Sequence, residues 1–203
     1  MKVAVVGASG RAGSRIVAEL SRRGHTVTAI ARDPDKIAKL PSVTAKKGDA
    51  HDQAALTALL AGHDAAVSSI HFLASDPAKL IGAARDSGVG RYLVVGGAGS
   101  LEVAPGVRLV TTPNFPAQYK AEAEKGAAFL DLLRQEQELN WTFLSPSALF
   151  VDGERTGKFR LGTDQLLTSA DGKSWISFED YAVALVDEIE RPAHLRQRFT
   201  VGY

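Results

Sequence analysis

The chain has 203 residues, of which 45% are hydrophobic, and its formal net charge at pH 7 is +1. That length suits a single domain over residues 1–203 with at most a small cap. The near-zero charge argues against nucleic acid or an anionic membrane surface as the main partner. The absence of cysteine excludes disulfides, thiolate catalysis and cysteine-bound zinc, and we predict no metal site. No stretch approaches the about 18 apolar residues that cross a bilayer, so we expect a soluble cytoplasmic protein.

The first thirteen residues predict a strand, a tight turn and the start of a helix. The apolar run Val3–Val6 is followed by three glycines spaced three residues apart. Gly7 is expected to allow the turn, Gly10 to let the backbone approach a pyrophosphate, and Gly13 to let the helix pack on its strand. The free N–H groups and the dipole of the helix start favour a bound anion. A tight turn without a ligand is the alternative. The predicted cofactor contacts of this turn are Gly7, Ser9, Gly10, Arg11, Ala12 and Gly13.

Strands and helices then alternate along the chain. Further strands are predicted at 26–31, 43–45, 64–68, 91–95, 141–144 and 198–201, and helices at 11–23, 35–40, 53–61, 77–87, 118–138 and 178–190. Repeated βα units with short buried strands predict an α/β fold with a Rossmann-type, doubly wound parallel sheet. The loop-like segments 101–117 and 147–178 interrupt the pattern, and we predict that they form a small cap on the substrate side.

Arg32 bears on the choice of cofactor. It stands at the end of the second strand, where folds that prefer NAD usually carry an acidic residue for the ribose hydroxyls. A guanidinium suits a 2′-phosphate instead, and Arg11 could close on the same group. The sequence therefore favours NADP(H) over NAD(H). Solvated surface charge is the alternative for both arginines, and Asp33 keeps an NAD interpretation open.

The ends of the later strands supply the remaining candidates, because ligands of open parallel sheets lie outside the carboxyl ends of the strands. Asp49 could accept hydrogen bonds from an adenine amino group, or cap the next helix together with Asp52. His71 could contact a substrate, although a loop histidine is often simply solvated. The other predicted cofactor contacts at strand ends are Ala50, Ser68, Ser69, Gly96 and Pro146.

Several motifs occur together in a recognisable order. They are the glycine turn, Gly48-Asp49, the strand end Val94–Ser100, Trp141–Pro146, and Ile176–Ala182. In this combination the whole chain resembles the atypical short-chain dehydrogenase/reductase superfamily. Within it, the chain is similar to NmrA-like proteins provisionally named NADH-flavin reductases, which are related to the biliverdin-IXβ/flavin reductases. The resemblance implies a nicotinamide cofactor and a small-molecule acceptor.

The catalytic residues depart from the pattern of that superfamily. Ordinary members use a tyrosine followed four residues later by a lysine, whereas Tyr119 is followed at that spacing by Ala123. Only residues three or four apart share a helix face, so neither Lys120 nor Lys125 can form the usual pair. Lys120 could still reach the nicotinamide ribose, and the resemblance implies a catalytic role for Ser100. Tyr119 is either a proton donor or an aromatic that packs at the helix start.

The missing pair argues against alcohol–ketone chemistry, which needs a general acid or base at the oxygen. The prediction is a reductase that passes a hydride from NAD(P)H to free FMN, FAD or riboflavin, or to a similar flat acceptor such as a quinone. A non-catalytic NADP-binding sensor of NmrA-like type is the alternative, and a nucleotide-sugar epimerase or dehydratase is a third possibility. The sequence leaves monomer and homodimer open. Candidate aromatic contacts for a flat acceptor are Phe115, Tyr119, Phe150 and Trp175, each of which could instead pack in the core or on the cap.

Overall fold

The computed structural model describes all 203 residues, with an eight-stranded sheet between helices. The strands are β1 (Lys2–Val6), β2 (Thr26–Ala31), β3 (Val43–Lys47), β4 (Ala65–Ser68), β5 (Arg91–Val95), β6 (Glu102–Ala104), β7 (Val107–Arg108), β8 (Trp141–Pro146), β9 (Leu149–Val151), β10 (Arg160–Gly162), β11 (Trp175–Ser177) and β12 (Gln197–Gly202). The helices are α1 (Arg11–Arg22), α2 (Gln53–Leu60), α3 (Pro77–Asp86), α4 (Ala117–Leu133) and α5 (Phe178–Glu190).

The main sheet has the order β10-β12-β8-β5-β4-β1-β2-β3. Every neighbouring pair is parallel except β10 and β12, which are antiparallel. The chain runs from β1 outward to β3 and then returns to β4 on the other side of β1. That reversal opens a crevice at the carboxyl ends of β1 and β4, where doubly wound sheets bind ligands. The predicted Rossmann-type fold is confirmed.

The core consists of two apolar layers, one on each face of the sheet. Val3 and Val5 point into the layer beneath α1 and α5, whereas Ala4 and Val6 point into the layer beneath α2, α3 and α4. Burial on both faces explains why the central strands read as continuous apolar runs, as is usual for parallel sheets.

Two predicted helices are shorter in the structure. In the 35–40 region only Pro34–Lys36 forms a 3₁₀ turn, and Ile37 is already extended. Pro41 disfavours helical backbone at Leu40, so the helix is not expected to reach its predicted end. Helix α4 stops at Leu133 because the carboxylate of Glu136 then accepts hydrogen bonds from the N–H groups of Glu138 and Leu139.

The two predicted cap segments are more ordered than loops. The first contains the hairpin of β6 and β7, and the second contains the parallel pair of β9 and β11. Part of the second segment is not a cap at all, because β10 joins the edge of the main sheet beside β12. Whether the remaining parts cover a substrate stays a prediction.

A buried carboxylate ties the second segment to the first helix. Glu19 of α1 is only 4% exposed and accepts hydrogen bonds from three guanidinium groups. Two belong to Arg22 and Arg23 of the same helix end, and the third to Arg155, which follows β9. Burial alone would raise the pKa of Glu19, but the three arginines outweigh it and hold this pKa well below its usual range.

We expect Glu19→Gln to lower the free energy of unfolding by about 3 kcal/mol at neutral pH, because three guanidinium groups lose their shared carboxylate. The lowered pKa means that this stability is present above the unfolded value of 4.5 and is lost as the pH falls towards the folded value. Urea unfolding at about pH 7 and about pH 3 should therefore give a smaller difference from wild type at the lower pH. Equal differences would contradict this account. Glu154→Gln, at an exposed position of the same segment, is the control.

Candidate functional site: a groove at the glycine turn

The glycine turn closes where neither Gly7 nor Gly13 has room for a side chain. Gly7 has a φ of +82°, and a Cβ on it would lie 2.1 Å from the carbonyl oxygen of Ser69. A Cβ on Gly13 would lie 2.2 Å from the carbonyl oxygen of Gly7. The geometry agrees with the turn and packing roles predicted for these two glycines. The predicted approach of Gly10 to a pyrophosphate stays a prediction.

The start of α1 presents free hydrogen-bond donors. The backbone N–H groups of Arg11, Ala12 and Gly13 have no acceptor in the protein, whereas Ser14 already donates to the carbonyl of Gly10. No side chain caps this helix, and its first turn contains no acidic residue. Such an end favours an anion through its donors and its dipole. The residues present therefore fit the pyrophosphate of a dinucleotide.

A groove of about 180 Å³ extends from this turn along the carboxyl ends of β4, β1, β2 and β3. Its lining combines backbone, small side chains and a few polar groups, which is the composition expected of a small-molecule site. The predicted residues that line it are Gly7, Ser9, Gly10, Arg32, Asp49, Ala50, Ser69 and His71. Further lining residues, none of which was predicted as a cofactor contact, are Val6, Ile30, Ala31, Gly48, His51, Ile70 and Ala74.

The other predicted cofactor residues do not line this groove, namely Arg11, Ala12, Gly13, Ser68, Gly96, Lys120 and Pro146. Ala12 and Gly13 are buried within α1, so their possible contribution is the backbone N–H. Ser68 is buried at the end of β4. Gly96 packs against Phe143, where a Cβ would lie 2.3 Å from the ring.

The two arginines that were predicted to bind the 2′-phosphate differ in their ion pairing. Arg32 is exposed, lines the groove and forms no ion pair in the structure. Arg11 instead lies 2.5 Å from the carboxylate of Asp152 and stacks over the ring of Phe178 at 4.7 Å. The hypothesis that Arg11 closes on a phosphate together with Arg32 does not match this conformation, because the Asp152 pair would first have to break.

Helix capping was predicted for both aspartates that follow β3, but only one of them caps the helix. Asp52 is the N-cap of α2 and accepts the N–H of Ala55 at 3.0 Å. Asp49 does not cap the helix. It accepts the N–H of His51 at 2.9 Å and remains exposed in the groove lining. The capping interpretation of Asp49 was therefore wrong, and its contact with adenine stays a prediction.

The four catalytic candidates lie near the first half of α4 but in different environments: His71 contacts Glu122 of that helix, and Gly99, next to Ser100, packs against Ala123. His71 lines the groove with an 89% exposed side chain. Ser100 is 5% exposed and lies within 3.4 Å of the guanidinium of Arg198, so its hydroxyl faces the interior. Tyr119 is 61% exposed, and Lys120 beside it is also exposed. In this conformation the hydroxyl of Ser100 accepts a hydrogen bond from Arg198, and its catalytic role stays a prediction.

The other tyrosines offer no substitute acid. Burial raises the pKa of Tyr92 and that of Tyr181. The hydroxyl of Tyr181 donates to the carbonyl of Leu144 at 2.7 Å. Tyr203 donates to the carboxylate of Asp180 at 2.7 Å, and burial together with that carboxylate raises its pKa. None of the three lines the groove, and the hydroxyls of Tyr181 and Tyr203 already donate within the protein.

The aromatic candidates for contact with a flat acceptor differ in their exposure. Phe150 packs on Phe178 and Tyr181, with ring centroids 4.1 and 4.6 Å away, so it belongs to the core. Trp175 is 36% exposed and lies against the ring of Tyr203. Trp175 pairs with Leu149 across β11 and β9, and Leu149 and Val151 are exposed as well. Phe115 is partly buried.

The model of the NAD(P)H-binding family matches residues 7–192 of the chain. The chain belongs to this family. The glycine turn, the free N–H groups and the groove all lie inside the matched segment. The fold is that of an oxidoreductase family, and the resemblance to the atypical short-chain dehydrogenase/reductase superfamily is confirmed.

Solved structures of full-length relatives agree in fold but differ in name. A provisionally named exported protein from Burkholderia pseudomallei is 46% identical with a TM-score of 0.90, and the match covers 100% of both chains. A provisionally named NADH-flavin reductase from Streptococcus pneumoniae TIGR4 is 40% identical with a TM-score of 0.86, covering 100% of this chain and 99% of that one. A provisionally named epimerase from Bacteroides thetaiotaomicron is 38% identical with a TM-score of 0.95, covering 100% and 96%.

The structure also bears on metal binding and on membrane-spanning helices. No group of three or more histidine, aspartate or glutamate side chains comes together in a way that could hold a metal ion. None of the five helices is both long enough and apolar enough to cross a membrane.

Proposed function

We propose that this protein is an NADPH-dependent reductase of a free flavin or a similar flat acceptor. The observation that carries the proposal is an exposed apolar ribbon formed by Leu149, Val151 and Trp175 of β9 and β11. The ribbon begins at Leu149, three residues after the end of β8, and the residue that follows β9, Asp152, pairs with Arg11 at the glycine turn. Strand β9 thus links the end of a central strand, along the chain, to the helix start where the pyrophosphate is predicted.

NADPH is favoured over NADH by the charge at the rim of the groove. Arg32 offers planar donors without an ion-pair partner of its own, and guanidinium groups suit phosphate recognition. Asp33, the residue that kept NAD open, lies 3.2 Å from the amine of Lys36 and is partly neutralised by it. A negative 2′-phosphate at this position therefore meets the unpaired guanidinium of Arg32.

A flat acceptor makes modest demands on the side chains. A bound nicotinamide supplies the hydride, which is the difficult part of the chemistry. The chain has to hold the two rings face to face, exclude water and supply hydrogen-bond donors to the reduced product. The apolar ribbon suits the first two tasks. His71 lies at the groove and is the side chain best placed to supply a proton.

The second candidate is a non-catalytic NADP-binding sensor. Burial of Ser100 and exposure of Tyr119 favour it, because they leave no complete acid–base set at the groove. An epimerase or dehydratase is disfavoured because that chemistry uses the Tyr–Lys pair, and Ala123 stands where the lysine would be. We also propose a cytoplasmic location, where reduced nicotinamide cofactors are available. Cell fractionation tests it, and the name of the Burkholderia relative points the other way.

The activity is tested by the absorbance of the reduced nicotinamide at about 340 nm. Purified protein is mixed with NADPH or NADH, each with and without FMN, riboflavin or a quinone. We expect rapid, protein-dependent oxidation of NADPH with at least one acceptor. Tight NADPH binding without oxidation by any acceptor would contradict the reductase proposal and favour the sensor.

Arg32→Ala tests the cofactor preference. It should weaken binding of NADPH by about tenfold or more, because a charge-assisted contact to the 2′-phosphate is lost. Binding of NADH should change by less than about twofold, since NADH has no such phosphate. Titrations of both cofactors at low ionic strength measure the split, with Lys39→Ala, an exposed charge nearby, as the control. Equal losses for both cofactors would contradict the assignment.

A further inference from the structure

One wall of the groove has little support from the sheet. The N–H of Ser69 donates to the carbonyl of Val6 at 2.8 Å, after which the chain leaves the sheet. Ile70, His71 and Ala74 then line the groove. Between them the backbone makes only a single 3₁₀ turn over Phe72–Ala74. A single such turn has few internal hydrogen bonds, so its position depends on contacts from elsewhere.

Those contacts come from one carboxylate on α4. Glu122 accepts the N–H of Phe72 on Oε1 at 2.7 Å and the N–H of Leu73 on Oε2 at 2.8 Å. Nδ1 of His71 lies 3.3 Å from Oε1. The two backbone donors have no acceptor other than Glu122. Hydrogen bonds to an ionised carboxylate are stronger than neutral ones, and the side chain of Glu122 is only 27% exposed.

The same helix also holds the turn from its apolar side. The buried ring of Phe72 packs edge-on against Phe129 at 5.9 Å. It comes so close to Gly126 that a Cβ there would lie 2.6 Å from the ring. Helix α4 therefore fixes this wall through both the backbone and the side chain of the turn, and Glu122 supplies the polar half of that attachment.

We propose that Glu122 is a positioning residue for cofactor binding. It contacts the backbone of Phe72 and Leu73 and holds the wall in its binding conformation before the dinucleotide arrives. Pre-organisation of this kind strengthens binding by removing the cost of ordering the wall. This inference rests on the proposed use of the groove for NADPH, and it requires no particular acceptor.

The test compares the NADPH dissociation constants of three variants with that of wild type, by fluorescence titration of the full chain. Glu122→Ala removes both acceptors and should weaken binding about tenfold. Glu122→Gln keeps one carbonyl oxygen and should weaken it about threefold. Glu124→Gln, two residues along the same helix and exposed without a partner, should leave it unchanged. Thermal unfolding of each unliganded variant is measured in parallel.

A merely structural role would lower the melting temperature and leave the dissociation constant of the folded protein unchanged. That result in Glu122→Gln, or in Glu122→Ala where it folds, would overturn the inference. Failure of the wild type to bind NADPH would overturn it too. Wild-type protein that binds NADPH but oxidises it with no acceptor would contradict only the reductase proposal. The two failures can therefore be told apart.

Discussion

The close approach of α1 to the end of β1 is the constraint on which the site depends. Gly13 touches the carbonyl of Gly7 at a distance that excludes any Cβ, and Gly7 in turn touches the carbonyl of Ser69 after β4. These two contacts bring the ends of three chain segments together around the helix start. Because no side chain fills that position, the N–H groups of Arg11, Ala12 and Gly13 stay free to meet an anion.

Charges then organise the surroundings of that helix. The first turn contains no acidic side chain, and the carboxylates near α1 engage its arginines on the flank towards α5 and β9. Asp152 holds Arg11 and Arg15, while buried Glu19 holds Arg155. The same interactions fix the segment that carries the apolar ribbon. The predicted cofactor and acceptor sites are therefore connected through one helix.

Local patterns predicted most of the fold because the apolar strands and the glycine spacing act over a few residues. The glycine turn, the parallel strands and five helices could all be read from such patterns, but the predicted helix at 35–40 is only a 3₁₀ turn, and α4 ends at Leu133 and not at Glu138. The departures came from contacts between distant parts of the chain. Ser100 has the expected sequence position, but Arg198, far along the chain, binds its hydroxyl. Glu122 lies in an ordinary helical stretch, and only the tertiary structure brings it to the turn after β4.

Hydrogen exchange of the backbone amides with and without NADPH tests the central claim that the glycine-turn groove holds the dinucleotide. We predict protection of the amides of residues 9–13, 48–51 and 69–74, which surround the groove. A larger cavity of about 410 Å³ lies between Glu102–Pro105 and Gln165–Thr168, well away from the glycine turn in the sequence. Protection confined to that cavity, with the glycine turn unchanged, would contradict the account.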